Sequence, residues 1–389
     1  MFLAISVLAA FAGSQFAAYG SEILPSGVER IHAQCVWDNN RDLVVDQGAN
    51  AGQNVTIAVI DSGVDYYING TGQKVYHPDL RNNIAGGLGF QYRWQTGLVD
   101  EVEDYEDEDG HGTHVAGIIA AVDNDIGVIG VAPKVEIYAL KLYTRDYREV
   151  LAAIDWAVDH GIRIISMSFD FSSDPPGLHA ACDYANNNGV FLVAAAGNAG
   201  INSIAYPARY DSVIAVGAIY SNGTRWNWSN TGPELDYVAP GVNILSTFLN
   251  EGYAVDSGTS MAVPHVTGTA ALVMASKMDP DYDFNGDGIW HNSAVLLKFQ
   301  EWVLDLGPSG WDSEYGSGLV NAWGNCQRPA GDINNDLRCN ILDAIIVSGA
   351  YNSRPGSPKW DPRADLDINN VVNILDAIII SDNFGEIDP

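Results

Sequence analysis

The sequence predicts an α/β protein in which helices cover both faces of a parallel sheet, followed by a smaller C-terminal domain. Apolar runs alternate with helical patterns between residues 54 and 218, as in parallel sheets with crossover helices. The 389 residues are enough for two or three domains, at about 150 residues per domain. After Asn325 the composition changes, and two near-copies of one segment follow.

Five short, mostly apolar runs are the predicted strands, and their character is typical of strands buried on both faces. They cover residues 55–60, 135–142, 162–167, 190–195 and 213–218. Residues 147–160 carry apolar side chains at the spacing of one helical face, so we expect a helix there. Functional side chains are expected at the carboxyl ends of the strands.

Composition excludes several classes of protein. Hydrophobic residues make up 47% of the chain and charged residues 17%, which rules out a wholly disordered chain. The 19 basic and 49 acidic residues give a net charge of −30, so nucleic acid is not an expected partner. The mature chain contains no apolar run of about 20 residues, and we therefore expect no membrane span.

The N-terminus reads as a secretory signal peptide. Residues 1–18 are almost wholly apolar and are followed by small residues suited to cleavage. The alternatives are a first buried helix or a single membrane anchor. Outside the cell, four cysteines permit disulfides in three connectivities, which the sequence leaves open. They are Cys35, Cys182, Cys326 and Cys339.

Four polar side chains stand where catalytic groups are expected. Asp61 follows the first strand and precedes Gly63, which lets the backbone turn. His111 and Ser260 each stand at a glycine-containing turn that runs into an apolar helical pattern, and Asn198 follows the fourth strand. A serine at a helix N-terminus lies near aligned N–H groups that stabilise an oxyanion, and an asparagine amide supplies a further donor.

These segments resemble the signature blocks of the subtilisin-like serine proteases, the subtilases. The blocks read AVIDSG, HGTHVAG, AAAGNAG and GTSMAVPHV, and the resemblance extends from Pro25 to Ala322. It implies a subtilisin-like parallel sheet with helices on both faces. It also implies catalytic residues in the chain order Asp, His, Ser.

The resemblance assigns each residue a role. Ser260 attacks the scissile carbonyl, and His111 takes its proton as general base. Asp61 holds the imidazole tautomer, while the Asn198 amide and the Ser260 backbone N–H bind the oxyanion. The expected function is that of a secreted serine endopeptidase. The alternative is a non-catalytic binding module that retains the subtilase fold.

Substrate-binding residues follow from the same resemblance. Residues 100–109 contain eight carboxylates, and Asp109 stands two residues before His111, where an acid favours a basic side chain at P2, the second substrate residue before the scissile bond. A solvated or calcium-binding loop is the competing interpretation. The expected S1 residues are Ser168, Phe169, Asp170, Ala195, Ala196, Gly197 and Ala205. Because Asp170 replaces the glycine usual in relatives, the family's P1 preference does not transfer.

Two calcium loops are expected in the first domain, since oxygen donors in flexible loops suit Ca²⁺. By resemblance, the first uses side chains of Asp79 and Asn124 and carbonyls of Val122, Ile126 and Val128. Its alternative is a solvated acidic turn. The second follows the serine helix and presents oxygens at alternate positions, as EF-hand loops do, but lacks the carboxylate at position 12. Its candidate ligands are Asp281, Asp283, Asn285 and Asp287.

The C-terminal repeats share the phrase NILDAII at an offset of 33 residues. Their ligands occupy positions 1, 3, 5, 7, 9 and 12 of EF-hand-like loops. The first loop comprises Asp332, Asn334, Asp336, Arg338, Asn340 and Asp343, and the second comprises Asp365, Asp367, Asn369, Val371, Asn373 and Asp376.

The pair of loops resembles a dockerin module. This implies a small all-α calcium-binding domain that docks onto a cohesin module of a scaffold protein or cell surface, through the pairs Ile341-Leu342 and Ile374-Leu375. The alternative is a calcium-binding appendage that only stabilises the protein. The expected boundaries are a signal peptide over 1–20, a subtilase domain over 21–326 and a dockerin-like module over 327–389.

Overall fold

The computed structural model describes residues 21–38, 43–322, 341–354, 357–359, 364 and 371–382. The predicted signal peptide lies outside these residues. The described residues up to 322 belong to one compact unit, and those from 341 onward belong to a second. None of the helices in these ranges is long and apolar enough to cross a membrane.

An eight-stranded sheet forms the centre of the first unit. In chain order, the strands of this unit are β1 (Thr56–Asp61), β2 (Tyr66–Ile68), β3 (Lys74–Tyr76), β4 (Ile84–Arg93), β5 (Leu98–Val102), β6 (Glu136–Leu142), β7 (Ile164–Met167), β8 (Phe191–Ala195), β9 (Ile214–Ile219), β10 (Tyr237–Pro240), β11 (Ile244–Phe248) and β12 (Gly252–Asp256). The sheet has the order β10-β9-β8-β7-β1-β6-β4-β5 and is parallel except for the edge strand β5. The pairs β2–β3 and β11–β12 form antiparallel two-stranded sheets.

Helices cover this sheet. They are α1 (Ser26–Arg30), α2 (Gln34–Trp37), α3 (His111–Ala120), α4 (Tyr147–Asp159), α5 (Leu178–Asn187), α6 (Thr259–Ala275) and α7 (Asn292–Trp302). Helix α3 packs against α6, and α4 packs against α5. Every residue of β7, β8 and β9 is buried, as expected for strands covered on both faces. The predicted α/β fold with a mostly parallel sheet is confirmed.

The predicted strands and helix lie within two residues of their observed bounds, but the sequence analysis missed the β4–β5 hairpin that extends the sheet beyond β6. Strand β4 contains Gly86, Gly87 and Gly89, and glycine is depleted in strands. Its glycine content has a packing reason. A Cβ at Gly87 would lie 2.5 Å from the Ala139 carbonyl oxygen of β6, so only glycine allows this close approach.

The second unit contains helices α8 (Ile341–Ala350) and α9 (Ile374–Asp382), which pack against each other. Equivalent positions of the repeat share one environment: Asp343 and Asp376 are fully buried. The exposed apolar side chains also correspond, and they are Ile341, Leu342 and Ile345 in α8 and Ile374, Leu375 and Ile378 in α9. A separate all-α dockerin-like domain stays a prediction.

Cysteine chemistry is settled at two positions of the described chain. Cys35 is disulfide-bonded. Cys182 is a buried free thiol on α5, and burial raises its pKa to about 12. The Cys182 thiol is therefore a packing residue rather than a reactive nucleophile.

Candidate active site

Strand β1 and helix α3 bring Asp61 and His111 together. The Nδ1 atom of His111 lies 2.8 and 2.9 Å from the two carboxylate oxygens of Asp61, and both side chains are buried. Gly112 allows this approach, since a Cβ there would lie 2.3 Å from the Gly63 carbonyl oxygen. Among the described residues, His111 Nε2 has no hydrogen-bond partner. The imidazole is thus oriented through Nδ1 and can accept a proton at Nε2.

Asp107 caps the first turn of α3 and so helps to place His111. One carboxylate oxygen accepts the Gly110 N–H at 2.9 Å, and the other accepts the Thr113 N–H at 2.9 Å and its hydroxyl at 2.6 Å. The prediction of one acidic loop over residues 100–109 is corrected here. Residues 100–102 belong to β5, and Asp107 is buried, where it accepts hydrogen bonds from N–H groups at the helix start.

Ser260 is the second residue of α6 and lies in the same cleft as His111. Its hydroxyl donates to the Ser168 carbonyl at 3.0 Å, and the Ser168 hydroxyl donates to the Ser260 carbonyl at 2.8 Å. The two serines therefore hold the end of β7 against the start of α6. The partial positive charge of the helix N-terminus is available to stabilise negative charge that develops near Ser260.

Asn198 stands on the loop after β8, and its amide is oriented by Thr259. The Oδ1 atom accepts both the Thr259 N–H at 2.9 Å and the Thr259 hydroxyl at 2.8 Å. Two donors on one atom identify it as the oxygen, so the NH2 group is at the other side of the amide. Asn198 and Ser260 both line the cleft. The arrangement can therefore present an N–H donor beside the serine.

The carboxylates around His111 control its proton affinity. Burial alone would lower the pKa of His111, but Asp61, assisted by Asp256 and Asp109, outweighs burial and raises that pKa to about 9. For Asp61, burial would raise the pKa, but His111 holds it below the usual value. The Asp61 carboxylate therefore stays ionised and stabilises the imidazolium form of His111.

Three of the seven residues expected to form S1 line the cleft. They are Ser168, Phe169 and Asp170, and they line it together with the catalytic candidates. In the described part of the chain the cleft lining does not include the other four, two of which are joined by a hydrogen bond from the Ala205 N–H to the Ala196 carbonyl at 3.0 Å. Ala195 and Ala196 are buried. Gly197 adopts φ 105° with no room for a Cβ, which would lie 2.4 Å from Asn230 Nδ2.

Asp109 lies at the rim of the site, where it forms an ion pair with Arg145. The Arg145 guanidinium lies 2.8 Å from the Asp109 carboxylate, and Arg145 itself lines the cleft. Sequence reasoning did not identify Arg145, because it falls in the loop between β6 and α4 with no motif around it. The expected substrate-binding carboxylate therefore has a cationic neighbour.

The first expected calcium loop converges on Asp79, which is fully buried. Its carboxylate accepts hydrogen bonds from Asn124 Nδ2 at 3.1 Å, the Val128 N–H at 3.0 Å and the Tyr253 hydroxyl at 2.9 Å. Residues 122–128 thus wrap around one carboxylate, and Val122 N–H donates to the Asp79 carbonyl at 2.8 Å. The carbonyls of Val122, Ile126 and Val128 stay predicted ligands.

Glu22 joins this loop, and the sequence analysis missed it. Its carboxylate accepts the Asn124 N–H at 3.0 Å. Burial, with the charges of Asp123, Asp79 and Asp125, raises the pKa of Glu22 to about 7. The carboxylates here therefore repel one another, and the donor set of carboxylate, amide and carbonyl oxygens fits a hard cation such as Ca²⁺.

The second expected loop is more exposed. Asp283 accepts the N–H groups of Gly286 at 2.8 Å and Gly288 at 3.1 Å. Asp287 accepts from Asn285 Nδ2 and lies 2.8 Å from His291 Nε2. Asp281 is exposed, and its N–H donates to Asp279. Within the described ranges, no group of three or more His, Cys, Asp or Glu side chains could hold a metal ion, so a cation here would also need amide or carbonyl oxygens.

Only part of the two C-terminal loops falls within the described residues. Asp343 and Asp376 are buried near the starts of α8 and α9. Asp376 accepts the Asn373 N–H at 2.7 Å, and Asn373 Nδ2 donates to the Val371 carbonyl at 2.9 Å. The remaining expected ligands lie outside the described residues: Asp332, Asn334, Asp336, Arg338, Asn340, Asp365, Asp367 and Asn369.

Comparison with known proteins covers the region that holds the site. Residues 52–318 match the Subtilase family. A thermostable alkaline protease of Halalkalibacterium halodurans is 39% identical over 306 residues, which span 78% of this chain and 73% of that protein. Subtilisin BL of Lederbergia lenta is 39% identical over 306 residues, spanning 78% and 98% respectively. Subtilisin E of Bacillus subtilis is 38% identical over 309 residues, spanning 77% and 71%.

Proposed function

This chain belongs to the subtilase family and is a subtilisin-like serine endopeptidase, and from that premise we propose that Asp61, His111 and Ser260 form its catalytic triad. The observation that carries the proposal is the state of His111. Its Nδ1 is held by Asp61, while Nε2 has no partner among the described residues and lies in the cleft that Ser260 lines.

In this mechanism the Ser260 hydroxyl leaves the Ser168 carbonyl and donates to His111 Nε2. As Oγ attacks the peptide carbonyl, the proton passes to His111, and Asp61 stabilises the resulting imidazolium. His111 then gives the proton to the leaving amine, which departs and leaves an acyl-enzyme. A water molecule, deprotonated by His111, attacks the acyl carbon and releases Ser260.

The oxyanion that forms in each tetrahedral intermediate is bound by the Asn198 NH2 group and the Ser260 backbone N–H. Thr259 supports this role, because its two hydrogen bonds to Asn198 Oδ1 hold the amide in one orientation. Such preorganised donors stabilise charge that develops only in the transition state, without reorganising during the reaction.

Internal cleavage of casein tests the triad. We expect the purified protein to cut casein, and the Ser260→Ala variant to fold but lose this activity. A non-catalytic binding module would leave casein intact with or without the substitution. Residual activity of the Ser260→Ala variant near the level of the unmodified protein would show that another residue is the nucleophile.

We further propose that the protein is secreted and binds calcium. Residues 1–18 have the composition of a signal peptide. Asp79, Asn124 and Glu22 would hold the ion with carbonyls of the loop, and the ion supplies positive charge among these carboxylates. The loop at residues 281–290 and the C-terminal repeats are proposed as further calcium sites on their ligand spacing.

Removal of calcium is expected to lower the melting temperature. An ion that binds only the native state stabilises it by RT ln(1 + [L]/Kd), about 2.7 kcal/mol at a hundredfold excess over Kd. Differential scanning calorimetry of the Ser260→Ala protein, which cannot digest itself, measures the loss on adding EDTA. In calcium, Glu22→Ala should have a lower melting temperature than the parent, and EDTA should lower that temperature by less. Glu136→Ala, an exposed control, should behave as the parent. A melting temperature that EDTA does not change would contradict calcium binding.

The C-terminal unit is proposed to dock onto a cohesin module. The support is the repeated exposure of Ile341, Leu342 and Ile345 on α8 and of Ile374, Leu375 and Ile378 on α9. Apolar side chains at the centre of an interface contribute most of the affinity. The two repeats expose apolar side chains at equivalent positions, 33 residues apart, which suggests two related docking faces. The competing account is that both pairs pack internally or against the protease domain, which would make the unit a stabiliser. Their exposure argues against internal packing.

Binding to the cohesin modules of the source organism tests docking. Changing both Ile-Leu pairs to Ser-Ser in the full chain should cost far more affinity than changing either pair, because each face can replace the other. Leu297→Ser, another exposed apolar side chain on α7, should leave binding unchanged. If calcium-loaded protein binds none of these cohesins, docking is wrong. If one pair alone abolishes binding, the two-face version is wrong.

A further inference from the structure

We propose that Arg145 determines specificity by masking the Asp109 carboxylate, and so opposes cleavage of substrates with a basic side chain at P2. The inference rests on the proposed function and on the place beside P2 that the subtilase resemblance predicts for Asp109. Arg145 acts against the basic P2 selectivity expected from Asp109, because its guanidinium occupies the position that a substrate lysine or arginine would take.

Arg145 contacts Asp109 and also lines the cleft. The Arg145 guanidinium lies 2.8 Å from Asp109, and Arg145 lines the cleft with Asp61, His111 and Ser260. The side chains of the pair are 40% and 44% exposed. The ion pair is therefore close to the reacting groups and within reach of a bound peptide, rather than buried in the protein.

The ion pair also cancels the charge that Asp109 would present to a substrate. An unpaired carboxylate near a protein surface attracts a nearby cation. With a guanidinium already 2.8 Å away, the pair has no net charge, and a substrate cation must displace Arg145 or share Asp109 with it. Asp109 therefore attracts a basic P2 side chain much less strongly than its position in the sequence suggests.

The backbone of Arg145 is strained. Its φ is +57°, a left-handed conformation that is unfavourable for residues with a Cβ and favours glycine or asparagine. The loop from 143 to 146 is short, because α4 begins at Tyr147 with Asp146 as its N-cap. A long cationic side chain at this position is unfavourable for the loop alone, and its contact with Asp109 gives it a role.

The test compares peptides that differ only at P2, with Lys, Ala or Glu at that position. The measured quantity is the Lys to Ala ratio of kcat/KM, so that each variant is normalised to its own Ala peptide. For Arg145→Gln we expect this ratio to rise about two- to fivefold, as loss of an exposed ion pair allows. Asp109→Asn should not raise it, and adding Arg145→Gln to Asp109→Asn should cause no further rise.

Arg93→Gln is the matched control. Arg93 forms an exposed ion pair of the same 2.8 Å length with Asp100 on the β4–β5 hairpin, outside the cleft lining. Its removal should leave both activity and the Lys to Ala ratio unchanged. A similar rise from Arg93→Gln would mean that net charge, and not masking, sets the ratio.

Three results would overturn the proposal. The first is a Lys to Ala ratio that does not change in Arg145→Gln. The second is an equal rise of that ratio when Arg145→Gln is added to Asp109→Asn. The third is slower cleavage of the Glu peptide as the main effect of Arg145→Gln, which would mean that Arg145 binds acidic side chains directly. Failure of the proposed function is distinguishable, because the unmodified protein would then cleave none of the three peptides.

Discussion

Replacing Asp61 by asparagine is expected to lower kcat by about 10⁴-fold, the loss that follows when the orienting carboxylate of a serine protease triad becomes an amide. Asparagine has nearly the same size, so the fold should persist. Its amide cannot hold the tautomer of His111 that exposes an unprotonated Nε2 to Ser260. The substitution also removes the charge that stabilises the imidazolium in the transition state.

The same substitution should change the pH profile. Because His111 acts as a base only when neutral, the activity of the unmodified enzyme should rise with pH through the His111 pKa of about 9. Asp61 is the strongest contributor to raising that pKa. Its loss should move the acidic limb of the remaining activity to lower pH, even though the rate stays low.

Steady-state kinetics on one peptide substrate from pH 5 to 10 measures both effects. Asp155→Asn, a change of the same chemistry at an exposed position of α4, is the control and should leave rate and profile unchanged. An Asp61→Asn enzyme that retains more than about a tenth of kcat would show that this carboxylate does not orient the catalytic base.

The second large effect is expected on the contribution of two buried histidines to stability, which should be lost between pH 6.5 and 4. His114 on α3 and His265 on α6 are fully buried, and burial lowers the pKa of each to about 4. In the unfolded chain a histidine pKa is about 6.5. The stability contributed by these neutral histidines is therefore present above pH 6.5 and is lost as the pH falls through 4.

Contacts explain why both histidines stay neutral. His114 Nε2 lies 3.1 Å from the carbonyl oxygens of Ile244 and Ala254, and His265 Nδ1 lies 2.8 Å from that of Met261. Among the described residues, the second nitrogen of each ring has no partner. A Cβ at Gly27 would lie 2.2 Å from His265 Nε2. A proton added to either ring would therefore be buried without an acceptor.

At pH 4 the loss is of the order of 3 kcal/mol for each histidine, at about 1.4 kcal/mol per unit of pKa shift. That is a large part of the roughly 5–15 kcal/mol that stabilises a typical domain. Urea unfolding of the Ser260→Ala protein between pH 4 and 8 measures it. His265→Gln should weaken the pH dependence of the free energy of unfolding. His160→Gln, a control substitution at an exposed histidine, should leave it unchanged. A His265→Gln variant whose free energy of unfolding changes between pH 7.5 and 4.5 as much as that of the parent would contradict the prediction.

The sequence alone predicted the α/β sheet and the positions of Asp61, His111 and Ser260 because these depend on local signals. Continuous apolar runs identify buried strands, and glycine turns next to polar residues mark strand and helix ends. These signals do not depend on knowing which segments meet in space. The strand bounds therefore agree with the structure to within two residues.

Contacts between distant segments could not be predicted in this way. Glu22 contacts Asn124 across 102 residues, and nothing in the sequence near Glu22 indicates that it contacts the predicted calcium loop. In the sequence, nothing distinguishes Asp107 from the other seven carboxylates of residues 100–109. In the structure it accepts hydrogen bonds at the start of α3. Arg145 has no motif, and its pairing with Asp109 depends on how the loop after β6 meets the segment before α3.

Labelling by a fluorophosphonate probe tests the central claim most directly, because the probe phosphonylates only a serine that a neighbouring base has activated. Mass spectrometry of folded, calcium-loaded protein should locate the label on Ser260. Substitution of His111 by alanine should reduce labelling to background while circular dichroism shows the fold retained. An unlabelled Ser260 in folded protein, or a label on a different serine, would contradict the triad of Asp61, His111 and Ser260.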